Sequence, residues 1–182
     1  MRCVMVVMLG ICWAVSSVVD ATSFGRRDVG NIVAINARPA ICLPNNAKRG
    51  FAVGWFSLTE SYRRNPRSWG ASLLPGFKPL ELSPGACFAF GNVPEGYKLN
   101  DFKNNEPLQA LEVNRTYVFS LSNADHPTDT YEAIFCVEQT ATGAVEFLQY
   151  TLLADGSQAA PSCGGKHNAD AATPTDRGDI NQ

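Results

Sequence analysis

From residue 28 onward the chain alternates apolar and polar residues with a period of two, which is the spacing of half-buried β-strands and not of helices. Tyr117, Phe119 and Leu121 alternate with Thr116, Val118 and Ser120, and Tyr131, Ala133, Phe135 and Val137 alternate with Glu132, Ile134, Cys136 and Glu138. A further run from Val145 to Leu152 follows the turn-like Thr142-Gly143, so residues 130–153 read as a hairpin. Upstream, Asn31 to Ala37 and Ala40 to Leu43 read as two strands divided at Pro39, which cannot donate to a central ladder and is expected to mark a turn or an edge. Phe51 to Thr59 reads as a strand with Phe51, Val53 and Trp55 on one face and Ala52, Phe56 and Leu58 on the other. Leu80 to Leu82 and Ala86 to Phe90 flank the turn Ser83-Pro84-Gly85. Seven or eight short strands punctuated by Gly and Pro predict an all-β fold, an antiparallel β-sandwich of Ig-like type.

The first 21 of the 182 residues predict export. Arg2 is a positive n-region, Cys3 to Val15 is almost wholly apolar, and Val19-Asp20-Ala21 has the form of a small-residue cleavage site. The mature chain is then expected to start near Thr22, with a sandwich domain over residues 22–163. Leu9-Gly10-Ile11-Cys12 approximates a bacterial lipoprotein signal, with Cys12 as the residue to be lipidated, although the bulky Ile11 stands where a small residue is wanted. Lipidation at Cys12 is the only route to membrane anchoring that the sequence offers, the apolar run being far shorter than the about 20 residues of a spanning helix. From Gly164 to Gln182 the composition is polar and small, which predicts a disordered tail. Cys42, Cys87, Cys136 and Cys163 remain in the mature chain, an even set that predicts disulfides in the periplasm; three connectivities are open.

Charge and motifs exclude several functions. Fifteen Lys and Arg stand against 17 Asp and Glu, so a general affinity for nucleic acid is not expected. His126 and His167 are the only histidines; the first lies in a turn, the second in the tail, and no G-x-S-x-G elbow accompanies them. Glu132 and Glu138 on one strand would lie roughly 20 Å apart, too far for a glycosidase pair; Glu138 and Glu146 can face each other across the hairpin, but solvated strand faces carry glutamates routinely and a catalytic pair also needs a cleft. Cys163 and His167 form only a fragment of a metal motif. The expectation is a protein without catalysis, cofactor or metal.

One segment departs from the strand pattern. Glu60 to Lys78 reads as a long basic and aromatic loop, and long loops in compact domains are often functional. Its Tyr62, Arg63, Arg64, Arg67 and Trp69 belong to the residue types that dominate protein interfaces, although a tryptophan folding back onto the core is an equal reading of Trp69. Lys48 and Arg49 form a second small basic cluster.

The motif order resembles a family of small bacterial periplasmic lipoproteins described as immunity proteins of the type VI secretion system. The resemblance rests on Ala40-Ile41-Cys42-Leu43-Pro44, on Leu82-Ser83-Pro84-Gly85-Ala86-Cys87 and on Leu111 to Ser120, and covers about residues 29–122. It implies a β-sandwich that binds and neutralises a secreted toxin. It also implies the pairing of Cys42 with Cys87, since the first two cysteines occur together in the family, and with it Cys136 with Cys163. A pilus-associated or carbohydrate-binding sandwich module of the cell envelope is the alternative, because fold alone does not decide function.

Overall fold

The computed structural model describes residues 25–102, 106–153, 157–161 and 163; the expected signal peptide, Cys12 and the expected tail lie outside them. No helix occurs among the described residues, and thirteen strands do. They are β1 (Arg27–Val29), β2 (Asn31–Ile35), β3 (Arg38–Cys42), β4 (Phe51–Glu60), β5 (Ser68–Leu73), β6 (Leu80–Leu82), β7 (Cys87–Ala89), β8 (Tyr97–Leu99), β9 (Thr116–Asn123), β10 (Thr130–Gln139), β11 (Val145–Gln149), β12 (Thr151–Leu152) and β13 (Gln158–Ala159).

The large sheet runs β1-β10-β9-β4-β5-β8, and its two ten-residue strands each share one edge between two partners. β10 pairs with β1 along its first half and with β11 along its second, while β4 pairs with β6 near its start and with β5 near its end. The β1–β10 pair is parallel, so the sheet is mixed where a purely antiparallel one was expected. Parallel partners are not joined by a short turn, and no local signal in the sequence marks this one. The small sheet, β2-β3-β7, packs on the large one through aromatic contacts: Phe88 of β7 meets Phe56 of β4 with ring centroids 4.4 Å apart. The alternations in β9 and β10 hold as expected, with Tyr117, Phe119, Leu121, Tyr131, Ala133, Phe135 and Val137 all buried in the core between the sheets.

β4 differs from its sequence reading, and the difference positions the site. Its register against β9 shifts between Val53 and Trp55, so one extra residue is accommodated there as a β-bulge. The bulge reverses the side-chain phase. Phe51 and Val53 therefore share the core face with Phe56 and Leu58, whereas Trp55 leaves it. The same phase carries Glu60, the last residue of the strand, inward opposite Tyr117.

Pro39 lies inside β3 and not at the turn, which Asn36 and Ala37 form with φ of 51° and 58°. Two consecutive left-handed residues make the mirror-image hairpin turn that suits strand twist. Pro39 is tolerated because its carbonyl accepts from Phe90 N at 2.9 Å where the β3–β7 ladder ends, so its missing donor falls beyond the last registered pair. Between β1 and β2 the chain crosses from one sheet to the other at Gly30, whose N–H reaches Glu132 O. A Cβ at Gly30 would stand 2.7 Å from Ile41 Cγ1, so the crossing requires glycine.

Cys42 bonds Cys87 and Cys136 bonds Cys163, the pairing the resemblance implied. The first bond links directly opposed residues of β3 and β7; the second ties the outer face of β10 to the chain beyond β13. Two disulfides fit an extracytoplasmic protein. No helix among the described residues is long and apolar enough to cross a membrane.

Candidate functional site

The segment Glu60–Lys78 is not one long loop. Glu60 completes β4, Ser68–Leu73 is strand β5, and the connection between them is residues 61–67. The sequence conceals β5 because three of its first four residues, Ser68, Gly70 and Ala71, are small, yet those three are buried beside β4 and β8.

Register explains what the charged residues at the root of this hairpin do. Glu60 N donates to Arg67 O at 3.0 Å, and the Glu60 carboxylate, only 1% exposed, receives three donors. Arg67 Nη2 lies 2.5 Å from Oε1, Arg67 N donates to Oε2 at 3.0 Å, and Arg63 Nη1 lies 3.1 Å from Oε2. Arg67 Nη2 also reaches Glu112 Oε1 at 2.7 Å, and Arg115 Nε approaches Glu112 Oε2 at 3.4 Å. Behind them, Glu112 N donates to the hydroxyl of the fully buried Tyr117 at 2.8 Å. A buried carboxylate is tolerated only when paired and hydrogen-bonded. The side-chain hydrogen bond from Arg67 is the largest influence on Glu60 and, against the opposing effect of burial, brings its pKa down to about 2. Glu112 is also lowered, first by its bond to Arg67, and Arg67 is raised, first by its bond to Glu60.

The expected anchors therefore separate into two groups. Arg67 is bound into the root, with its side chain 21% exposed. Trp69 stands in β5 opposite Leu58 and packs on the core, 5.1 Å from Phe56 and edge-on to Phe90 at 5.0 Å between ring centroids. It is not a loop residue, and of the two readings of this tryptophan the core one describes its place. Tyr62 and Arg64 are exposed, and neither carries a hydrogen bond, ion pair or ring contact among the described residues; Arg63, tied to Glu60, is still 41% exposed. Tyr62 is 81% exposed with φ of 58°, a conformation that costs an ordinary side chain roughly 1–2 kcal/mol. Ser61 N is bonded to Thr116 O at 2.8 Å, and Arg67 N and O are bonded to Glu60, so the loop that carries it is closed at residues 61 and 67.

The acids of the clamp, Glu60 and Glu112, escaped the sequence reading; their signal was there in the pairing of Glu60 with cations three and seven residues on, but it needs the hairpin register to be legible. Lys48 and Arg49 do not join the cluster. They precede β4, whose length of roughly 30 Å separates them from the loop that follows it, and Arg49 lies 3.6 Å from Asp129. His126 is exposed in a turn closed by Asn123 Oδ1, which accepts from Asp125 N and His126 N. Glu138 and Glu146 are register partners on β10 and β11.

A concavity lies at the β2–β3 turn, open to solvent and about 440 Å³ in volume, lined by Ile35, Asn36, Arg38, Ala89, Phe90 and Asn92 among others. Phe90 joins it to the hairpin root through its contact with Trp69, two residues from Arg67. No family model, curated protein or solved structure matches the chain.

Proposed function

We propose that this chain is an exported protein-binding domain of the periplasm, an immunity protein that occupies and neutralises a secreted toxin through the 61–67 loop. The observation that carries the reading is Tyr62: a largely exposed aromatic in a left-handed conformation, in a short loop closed at residues 61 and 67 and flanked by Arg63 and Arg64. Strain kept in a bulky exposed residue has no evident benefit to the fold, whereas an aromatic presented beside guanidinium groups by a short closed loop suits a protein interface. The toxin as partner comes from the resemblance set out above, and the cations favour an acidic surface on it. A neutral glycan suits the site less well, because it would leave the Arg64 charge without a counter-charge. The test is capture by the mature domain, immobilised, of candidate secreted toxins expressed in the same cells, together with protection of those cells when the domain is exported. Capture with protection supports the reading; capture of none of them, with no protection, contradicts it.

A further inference from the structure

We infer that the cavity at the β2–β3 turn receives a carboxylate borne beside an aliphatic group, an Asp or Glu side chain of the protein partner next to an apolar residue. The inference takes from the proposed function only the source of the carboxylate; the preference of the cavity is a property of this chain alone. The cavity, about 440 Å³, is an open concavity in which Ile35, Asn36, Arg38, Gly91 and Asn92 are exposed and Phe90 forms the buried floor. Its lining divides into an apolar part, Ile35, Ala89 and Phe90, and a polar part, Asn36, Arg38 and Asn92, with one cation and no acid among the lining residues.

Arg38 is the residue that selects. It opposes Ile35 across the hairpin and carries no ion pair or hydrogen bond among the described residues, so its charge is uncompensated. Its Nη1 lies 3.1 Å from where a Cβ on Gly91 would stand, and Gly91 has φ of 82°, so the exposed guanidinium lies over the Gly91 turn. Phe90 N bonds Pro39 O at 2.9 Å and Asn92 N bonds Ala89 O at 3.3 Å, which holds the opposite wall. An unpaired arginine fork beside an apolar floor suits a carboxylate next to an aliphatic side chain. Val33 and Ile35, both partly exposed on the outer face of β2, extend the apolar surface beyond the cavity.

The experiment is an amide NMR titration of the mature protein with three probes: acetyl-Leu-Glu amide, its isostere acetyl-Leu-Gln amide, and acetate. The expected result is that Ile35, Asn36, Arg38, Gly91 and Asn92 shift with the Glu peptide, while the Gln peptide and acetate each bind at least roughly fivefold more weakly. Arg38→Gln, at an exposed position, should reduce the Glu peptide to the level of the Gln peptide. Equal shifts for all three probes, or shifts confined to other residues, would overturn the inference, and the comparison of probes on the wild-type protein decides even without the variant. Because no toxin is used, a negative result here leaves the loop reading standing, and a failure of toxin capture leaves this one standing.

Discussion

Arg67 at the root of the β4–β5 hairpin and Arg64 at its tip are the same residue type three positions apart, and they stand in opposite surroundings. At the root Arg67 is ion-paired on two sides, between a buried Glu60 and a half-exposed Glu112. The tip presents Arg64 and Tyr62 to solvent with no partner among the described residues. The difference teaches that composition marks a segment as charged and aromatic, but register decides which charges are consumed by the fold. The root closes the loop, and the tip carries an exposed aromatic in a left-handed conformation.

The largest effect should follow from breaking the root. Glu60→Ala leaves Arg67 and Arg63 facing an empty core position, and although Glu112 still holds Arg67, loss of about 3 kcal/mol is expected in urea unfolding. The same carboxylate predicts an acid transition. Its folded pKa of about 2 lies below the ordinary 4.5, so its stabilisation is fully present above about pH 4.5 and is lost as pH falls towards 2. Glu60→Gln should flatten the stability profile across that window, and an unchanged profile would show that the clamp is not the titrating unit. Trp69→Ala should come next, costing about 2 kcal/mol, below the full core value because the ring is only partly buried. Affinity for the partner, measured on the folded fraction, should remain near that of wild type. The smallest effect belongs to the tip: Tyr62→Gly relieves the left-handed strain and should raise stability by up to about 1 kcal/mol while weakening partner binding.

How much of this was legible depended on whether the signal was local. β9 and β10 place the apolar residues of their two-residue alternation on the core face, although Ser122 and Cys136 of the opposite phase are buried as well. β4 does not, because the bulge between Val53 and Trp55 reverses its phase; read without it, Trp55 belongs to the wrong face and Glu60 has no reason to be buried. β5 was hidden because its burial rests on small side chains, and β1 because a parallel partner a hundred residues away leaves no local trace. The pairing of Arg67 with Glu60 follows from the same missing register. At the site, composition identified the right segment but could not separate Tyr62 and Arg64 from Arg67 and Trp69, since burial distinguishes them and residue type does not.

The division between root and tip is tested most directly by one double variant. Tyr62→Ala with Arg64→Ala should unfold in urea at the wild-type midpoint, both side chains being exposed and unpartnered, and should bind the captured toxin on the order of a hundredfold more weakly by calorimetry, as the loss of two interface anchors predicts. Wild-type affinity in that folded variant would contradict the account.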